Sequence, residues 1–497
     1  MTRQVPNFVN GEHHFSQSSR IADIHNPATG DIIAQVALSS ASEINHIVSH
    51  SLKAQLSWRE QSPLKRARVM FKFKELLEHN TKELATLISQ EHGKTHSDAK
   101  GELTRGIEVV EFACGIPHLL KGEFSSHVGT GVDSFSMMQP LGVCVGITPF
   151  NFPAMVPLWM YPIALCCGNS FILKPSEKAP SASIKMAELL QQAGLPDGVF
   201  QVVHGDKEIV DALLSHPDIA AVSFVGSTPV AKTIYQKGCA EGKRVQALGG
   251  AKNHLLVMPD ADLQRVGNAL MAAAYGATGE RCMAISVAVV VGDKTADALI
   301  EHLAPRVESL KVGPGLAQPE NDMGPLISEA HLLKVRGYIE QGAKEGAELV
   351  VDGRELESET GYFLGGTLFD HVTPNMRIYR EEIFGPVLAV VRVESYEQGL
   401  ALINGHEFAN GTAIFTQNGH WAHHFYQHVE VGMVGINVPI PVPMAFHSFG
   451  GWKRSIFGPL NMHGPDGVRF YTRMKTVTSS WPQDLNLDTQ YSMPTME

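Results

Sequence analysis

One cysteine stands in a sequence context that suits nucleophilic chemistry. It is Cys282, in the segment Gly-Ala-Thr-Gly-Glu-Arg-Cys-Met-Ala at 276–284. A free cysteine commonly packs as a small hydrophobe. Here two glycines keep the approach open, and Arg281 directly precedes the thiol, so a cation favours the thiolate form that attacks carbon. The segment therefore suits attack on an electrophilic carbon.

Asn151 is a candidate partner for this cysteine. It lies in Thr-Pro-Phe-Asn-Phe-Pro at 148–153, directly after the apolar run 143–147 that predicts a strand. In α/β domains the ligand crevice lies at the carboxyl ends of the strands. Asparagine is also common in turns, so a catalytic and a purely structural role both stay open.

The two segments resemble those of the aldehyde dehydrogenase superfamily. The resemblance covers nearly the whole chain, from residues 7–11 to 470–473. It implies that Cys282 is the nucleophile and that the amide of Asn151, with the Cys282 backbone N–H, forms an oxyanion hole. Removing one such donor typically costs about 2.7 to 4 kcal/mol of transition-state stabilisation.

The resemblance also implies NAD as cofactor, although no GxGxxG fingerprint occurs at the first β–α turn. Lys174 and Glu177 would hold the adenine ribose with Lys178 beside them, and Ser227 would meet the pyrophosphate at a helix start. Glu382 would bind the nicotinamide ribose. The carboxylate of Glu177 repels an added 2′-phosphate, which favours NAD over NADP. Three further residues would line the nicotinamide side: Thr148, Phe150 and Gly249.

A carboxylate is missing where the superfamily usually has one. Segment 246–254 reads Gln-Ala-Leu-Gly-Gly-Ala-Lys-Asn-His, with Ala247 in place of the glutamate that activates hydrolytic water. Alanine cannot take a proton, so a thioester on Cys282 would be poorly hydrolysed. With Ser-Phe-Gly-Gly-Trp-Lys at 448–453, the segment resembles the CoA-acylating branch, which acts on methylmalonate and malonate semialdehydes. That branch implies coenzyme A as co-substrate and, after loss of CO2, propionyl-CoA and acetyl-CoA as products, in the catabolism of valine, or of inositol and β-alanine.

A carboxylate substrate needs a cationic anchor, and arginine can grip a carboxylate with two hydrogen bonds. Two arginines are candidates: Arg105 in Glu-Leu-Thr-Arg-Gly, and Arg281 beside the nucleophile. Arg105 could also be a solvated helix charge, and Arg281 could point away from the pocket. The sequence leaves these alternatives open.

Other functions remain to be separated from this one. A hydrolytic aldehyde dehydrogenase would need another base, for which Glu280 is the nearby candidate. A cysteine acyltransferase or esterase would use no nicotinamide, and a catalytically silent relative would not need Cys282 and Asn151. The i,i+4 histidines 420, 424 and 428 could chelate a metal, but without an open-site motif or a nearby carboxylate we favour a polar helix face and expect no metal.

The elements that must position these residues alternate along the chain. From about residue 141, short apolar runs alternate with helical patterns, as expected for a parallel sheet with crossover helices. A second alternating region runs from 285–291 through 387–391 to 435–437. We therefore predict an α/β fold with a doubly wound NAD-binding domain and a second α/β catalytic domain.

We predict the domain boundaries as follows. The NAD-binding domain takes 1–120 and 140–252, and the catalytic domain takes 253–455. The resemblance makes 121–139 and 470–490 a small β oligomerisation arm, and it implies a homotetramer.

Composition excludes other partners. A formal charge of -11 and no basic run argue against nucleic acid. No signal peptide and no run of eighteen apolar residues is evident, so we expect a cytoplasmic protein without a membrane segment. The six cysteines show no CxxC spacing, which fits reduced thiols.

Overall fold

Strands and helices alternate along most of the chain, of which the computed structural model describes residues 2–129 and 131–481. The first elements are β1 (Arg3–Val5), β2 (Asn7–Val9), β3 (Glu12–His14), β4 (Ile21–His25), β5 (Ile32–Ala37), α1 (Ala41–Arg59), α2 (Pro63–His79), α3 (Thr81–His92), α4 (His96–Cys114), α5 (Ile116–Leu119), β6 (Phe124–Gly129) and β7 (Val132–Pro140). Next come β8 (Val143–Ile147), α6 (Met155–Cys166), β9 (Ser170–Lys174), α7 (Ser181–Gln192), β10 (Phe200–Val202), α8 (Lys207–Ser215), β11 (Ile219–Val225), α9 (Thr228–Ala240), β12 (Arg244–Leu248) and β13 (Asn253–Val257).

The second half begins with α10 (Leu263–Leu270), which continues as a π-helical turn (Met271–Tyr275) and a 3-10 turn (Gly276–Gly279). The elements after it are β14 (Ile285–Val291), α11 (Asp293–Glu308), α12 (Glu329–Lys344), β15 (Glu348–Val351), a 3-10 turn (Gly353–Glu355), β16 (Thr367–Asp370), α13 (Arg377–Arg380), β17 (Val387–Val393), α14 (Tyr396–Gly405), β18 (Phe408–Ala409), β19 (Gly411–Phe415), α15 (Gly419–His428), β20 (Met433–Ile436), β21 (Trp452–Lys453), β22 (Ile456–Phe457), α16 (Gly464–Phe470) and β23 (Thr472–Ser480).

The first main sheet has eight strands in the order β22-β12-β11-β8-β9-β10-β2-β3. The five from β12 to β10 are parallel, and antiparallel strands flank them. Strands β8, β9 and β10 are buried throughout, which explains why their sequences lack the alternation of a half-exposed strand. The chain winds away from β8 in both directions, so the strand order reverses beside β8.

Helices cover both faces of this sheet. One face carries α1, α8 and α9 over an apolar cluster that includes Val145, Val222 and Ile234. The other carries α6 and α7, with α4 packed behind α6. Every residue of α6 is buried, and its sequence is accordingly apolar on all sides.

The second main sheet has seven strands in the order β15-β16-β17-β14-β13-β19-β20. All but β15 run parallel. Apolar clusters fill the space on its two faces, one around Leu256 and Val289 and the other around Leu255 and Val290. Consecutive residues of β13 and β14 thus enter opposite cores, as the two-residue period of a strand requires.

Smaller sheets complete the fold. Strands β6, β7 and β23 form an antiparallel sheet in the order β23-β7-β6, with Val477 paired to Phe135. Strands β1, β5 and β4 form another, and β18 pairs with β21. The sheet of β6, β7 and β23 occupies the segments predicted as an arm, except that residues 482–490 of that prediction lie outside the described residues.

The predicted α/β fold with two parallel-sheet units is confirmed. The domain boundaries stay a prediction. Within the described ranges, no helix is both long enough and apolar enough to cross a membrane.

Candidate active site

Most predicted site residues follow the carboxyl ends of four strands of the first sheet. They are Thr148, Phe150 and Asn151 after β8; Lys174, Glu177 and Lys178 at the end of β9; Ser227 after β11; and Gly249 after β12. These strands are neighbours in the sheet, so residues far apart in the chain meet at one edge. That edge, beside the reversal of strand order at β8, is where open α/β sheets bind ligands.

Cys282 reaches the same edge from the second sheet, on a strained turn. Ala277 and Thr278 have φ angles of 48° and 56°, a left-handed conformation that costs non-glycine residues of order 1 kcal/mol each. The side-chain amides of Asn253 and Asn410 donate to the Cys282 carbonyl oxygen at 2.9 and 3.2 Å. The nucleophile's backbone is therefore fixed by residues at the beginnings of β13 and β19.

Asn151 is buried and lines a cleft together with Cys282. Its Nδ2 donates to the Glu280 carbonyl oxygen at 2.9 Å, which uses one of two N–H groups and leaves one for a ligand. Lys94 Nζ donates to the Asn151 carbonyl oxygen at 2.5 Å, and this contact supports the loop that carries Asn151. This geometry is compatible with the oxyanion role expected for Asn151.

That cleft lies on one side of Cys282 and collects most of the residues predicted to bind NAD. Its walls include Phe150, Asn151, Lys178, Ser227, Gly249, Cys282 and Glu382. Other residues absent from the prediction also line it, among them His331, Lys334 and Phe384. Phe384 meets Phe150 edge to face with ring centroids 6.1 Å apart, and the two rings form an apolar wall.

Lys174, Glu177 and Thr148 are not in the cleft wall beside Cys282. Lys174 Nζ lies 3.4 Å from Glu177 Oε2 at the end of β9. Thr148 is buried, and its backbone N–H donates to the Lys174 carbonyl oxygen at 3.1 Å. These three residues are thus connected to one another, while their roles in binding remain predictions.

Two features of the cleft fit a dinucleotide. The Ser227 side chain makes no capping hydrogen bond at the start of the 13-residue helix α9, so the first N–H groups of α9 are open to an anion such as a pyrophosphate. Glu382 Oε1 accepts from the Ala251 N–H at 2.9 Å, and a Cβ on Gly250 would collide with the other carboxylate oxygen. Gly250 therefore leaves the room that the Glu382 carboxylate needs to face a ribose.

A second cavity lies on the other side of Cys282, and both predicted anchors, Arg105 and Arg281, line it. Apart from charged residues, its walls are mainly apolar: Phe152, Met155, Trp159, Ile440, Val442 and Phe449. The nucleophile is thus reached from two sides. One cleft fits a nucleotide, and the other cavity fits a small molecule with an anionic end.

Both arginines are held by the protein. Arg281 forms an ion pair with Asp98. Arg105 pairs with Glu108 at 2.6 Å and donates to the Pro443 carbonyl oxygen at 2.8 Å. Arg105 is therefore not the freely solvated helix charge that was its alternative, and Arg281 lines the cavity while its guanidinium pairs with Asp98.

The Cys282 thiol is neutral in this environment. Burial and, to a lesser extent, the carboxylate of Glu382 together raise its pKa to about 12, and Arg281 opposes this rise by only a small amount. The expectation that Arg281 makes the thiol acidic is therefore wrong in its net effect, because desolvation outweighs one partly neutralised cation.

Ala247 does not face Cys282. It is fully buried in β12, paired with Phe224, and belongs to the apolar cluster under α9. Leu248, the next residue, belongs to the cluster on the opposite face, the one against which Cys282 packs. A carboxylate at position 247 would enter the core between the sheet and α9, so Ala247 alone cannot explain how water is handled in the site.

Glu280, the alternative base for hydrolysis, is enclosed. Its side chain is fully buried, accepts from the Ile327 N–H, and lies 3.5 Å from both His92 Nε2 and His331 Nε2. Burial raises the pKa of Glu280 to about 8 and lowers that of His331 to about 4. All three groups are therefore neutral near pH 7, and Glu280 does not line either cavity beside Cys282.

A buried ion pair that the sequence did not reveal supports the Asn151 loop. Lys94 Nζ lies 2.9 Å from Glu102 Oε2, and both side chains are almost fully buried. Glu102 Oε1 accepts from the N–H groups of Ala154 and Met155 at the start of α6. No local motif signals this pair, because its partners lie on separate elements.

The three histidines at i,i+4 spacing share one face of α15. Tyr396 Oη lies 2.8 Å from His424 Nδ1, and the His424 and His428 rings stack with centroids 3.9 Å apart. These contacts agree with a polar helix face packed against α14.

A cysteine held between two parallel-sheet units, with a cleft on one side and a cavity on the other, suits an oxidoreductase that acts on aldehydes. The chain belongs to the aldehyde dehydrogenase family, whose model matches residues 14–477. It is 57% identical over 492 residues to the malonate-semialdehyde dehydrogenase of Pseudomonas aeruginosa, covering 98% of this chain and 99% of that one.

Two solved structures are similar over nearly their whole length. One is the methylmalonate-semialdehyde dehydrogenase of Oceanimonas doudoroffii, with a TM-score of 0.95, 55% identity, and 97% and 99% of the two chains covered. The other is a Sinorhizobium meliloti 1021 protein solved with NAD, with a TM-score of 0.96, 53% identity, and 98% and 99% covered.

Replacing Ala247 with glutamate tests its placement. We expect Ala247→Glu to lower the free energy of unfolding by more than about 3 kcal/mol, because an unpaired carboxylate would enter an apolar core. Ala240→Glu, at an exposed position of α9, should cost less than about 1 kcal/mol. Urea denaturation measures both. A stable Ala247→Glu variant that releases free acid would contradict this placement.

The buried carboxyl of Glu280 predicts a pH-dependent stability difference. With its pKa raised to about 8, against about 4.3 in the unfolded chain, the folded state keeps a proton that the unfolded state loses. Wild-type stability therefore falls as pH rises through that window. The free energy of unfolding of Glu280→Gln minus that of wild type should therefore increase by about 2 to 3 kcal/mol from pH 5 to pH 7.

Urea denaturation at the two pH values measures this gain. Glu301→Gln, on the exposed face of α11, is the matched control and should show a much smaller trend. A difference between Glu280→Gln and wild type that stays constant with pH would show that Glu280 ionises as an ordinary carboxylate.

Proposed function

We propose that this enzyme is an NAD-dependent, CoA-acylating dehydrogenase of malonate and methylmalonate semialdehydes. The observation that carries the proposal is that Arg105 and Arg281 line the same cavity as Cys282. An aldehyde that also carries a carboxylate would meet a nucleophile and two cations in one pocket. The substrate names of the P. aeruginosa and O. doudoroffii relatives support this substrate class.

The cleft on the other side supports NAD as the cofactor. Glu382, Ser227 and the open start of α9 suit a ribose and a pyrophosphate, and a relative of 53% identity was solved with NAD. Lys174 and Glu177 would bind the adenine ribose, with Thr148, Phe150, Lys178 and Gly249 along the path to Cys282. When bound, NAD supplies the acceptor for the hydride that leaves the thiohemiacetal carbon.

The chain's own residues prepare that carbon. Arg105 and Arg281 hold the substrate carboxylate and direct the aldehyde toward Cys282. Once the Cys282 thiol has lost its proton to solvent, the thiolate adds to the carbonyl carbon, and the carbonyl oxygen becomes an oxyanion that accepts hydrogen bonds from Asn151 Nδ2 and the Cys282 N–H. After oxidation, the acyl group is a thioester on Cys282.

Loss of CO2 and transfer to CoA follow from the chemistry of that thioester. The carboxylate is β to the thioester carbonyl, so breaking the carbon–carbon bond releases CO2 and leaves an enolate delocalised into that carbonyl, which takes a proton at carbon. The CoA thiolate then attacks the thioester, and the Cys282 sulfur leaves. Thioester exchange is close to thermoneutral, and a thiolate is far more nucleophilic than water.

The carboxylates near Cys282 support transfer over hydrolysis. Asp98 and Glu102 line the substrate cavity but are paired with Arg281 and Lys94, and Glu382 accepts from a backbone N–H. General-base help to water is worth about 10² to 10⁴ in rate. A site in which these carboxylates are engaged lacks that help, so the thioester persists until a thiol arrives.

We also propose a homotetramer built through the arm. The sheet of β6, β7 and β23 exposes large apolar side chains, among them Phe124, Met474 and Trp481. Exposed apolar surface of this kind is typical of an interface.

The function predicts a dependence on CoA. Purified enzyme mixed with malonate semialdehyde and NAD should form NADH steadily with CoA present, and only about one equivalent per site without it, because the thioester on Cys282 is not cleared. Absorbance at 340 nm follows NADH, and mass spectrometry identifies acetyl-CoA. Equally fast steady NADH formation without CoA, with free acid as product, would refute the proposal.

The two anchors predict a charge-specific defect. Arg105→Met should lower the ratio of kcat/KM for malonate semialdehyde to that for propanal by about 10- to 100-fold, because propanal has no carboxylate to lose its partner. Arg281→Met should act in the same direction. Arg68→Met, on an exposed face of α2, should leave the ratio unchanged. If the ratio is unchanged in both Arg105→Met and Arg281→Met, this pocket is not the site that binds the carboxylate.

A further inference from the structure

One carboxylate connects the substrate cavity to the turn that carries the nucleophile. Asp98, in the first turn of α4, lines the cavity and pairs through Oδ1 with Arg281. Its other oxygen, Oδ2, accepts from the Ala277 N–H at 3.0 Å. Ala277 belongs to the strained turn that leads to Cys282. Asp98 therefore bonds at once to an anchor and to the backbone before the nucleophile.

The same helix also carries the other anchor. Asp98 and Arg105 are seven residues apart, so they lie on one face of α4, about 10 Å apart along its axis. The Arg105 guanidinium is fixed by Glu108 and by the Pro443 carbonyl oxygen. The first half of α4 is thus a rigid spacer between the Asp98 contacts in its first turn and Arg105 near its middle.

Arg281 is also constrained by the turn that precedes it. Its guanidinium folds back over its own turn, where a Cβ placed on Gly276 would lie 2.6 Å from Nη1. Gly276 has an ordinary negative φ of -54°, so its backbone does not require glycine. What requires glycine at this position is the space taken by the guanidinium.

We propose that Asp98 is the positioning residue that fixes the distance between the carboxylate anchor and Cys282, and that it thereby sets the chain length of the oxo acid that the enzyme accepts. The inference rests on the proposed function, because it assumes that the substrate carries a carboxylate. A pocket with a fixed distance between anchor and nucleophile accepts one spacing between carboxylate and aldehyde. A pocket whose anchor can move accepts several spacings.

The test measures kcat/KM for three unbranched oxo acids of increasing length: malonate, succinate and glutarate semialdehydes. Wild type should prefer the shortest by about 10- to 200-fold per added methylene. Asp98→Asn keeps an acceptor for the Ala277 N–H but loses the charge that holds Arg281, and it should reduce that preference to below about threefold. Glu108→Gln, the same change at the partner of Arg105, should keep the preference, because a backbone carbonyl also holds Arg105.

Gly276→Ala gives an independent variant that leaves every charge in place. Its methyl group displaces the Arg281 guanidinium, so it should also weaken the length preference, even if Asp98→Asn proves unstable. Equal loss of activity on all three acids in both variants would show a merely structural role and overturn the inference. An unchanged length preference in both variants would also overturn the inference.

The proposed function is tested separately by wild type alone. A wild type that prefers a longer oxo acid contradicts malonate semialdehyde as substrate, while loss of that preference in Asp98→Asn still supports the role of Asp98. A wild type without any length preference would contradict both.

Discussion

The site depends on the buried ion pair between Lys94 and Glu102. Glu102 accepts from the first N–H groups of α6, so it compensates both a helix N-terminus and a lysine. Lys94 in turn donates to the carbonyl oxygen of Asn151 and lies over the Phe152 ring at 4.3 Å. Removing either partner would leave an uncompensated charge in the interior, which costs about 3 to 5 kcal/mol. The position of the Asn151 amide relative to Cys282 is therefore tied to the stability of the fold around it.

Electrostatic pairing and burial also determine the charge state of the site before substrates bind. In the substrate cavity Lys94 pairs with Glu102 and Arg281 pairs with Asp98, while Glu108 pairs with Arg105 beside it. Each anchor therefore presents a partly neutralised cation, and desolvation keeps the Cys282 thiol protonated, with its pKa raised to about 12. Under the proposed function, an anionic substrate would share the arginines with these acids, which would favour a carboxylate that reaches both guanidinium groups at once.

The sequence could predict whatever depends on local pattern. The unbroken apolar run of β8 predicted a buried strand, and the position of Asn151 directly after that strand predicted that it would lie at the ligand crevice. It could not predict Asp98 bonding to Ala277, or Glu280 lying between His92 and His331, because those contacts join residues far apart in the chain and no spacing encodes them. Ala247 shows the same limit from the other side. The sequence shows that this residue cannot act as a base, but it does not show which face of the sheet its side chain lies on, because that depends on how the sheet packs.

Under the proposed function, weak hydrolysis would be a property of the whole pocket and not of one position. Ala247 faces a core that no water reaches, and Glu280 is a carboxyl kept neutral by burial beside two neutral histidines. A water molecule near the thioester would meet carboxylates that already accept hydrogen bonds from Arg281, Lys94 or the Ala251 N–H. A thiol needs no carboxylate once it is ionised, because its thiolate attacks without a base. The same pairing that would position the substrate is thus in keeping with the proposed transfer to a sulfur acceptor.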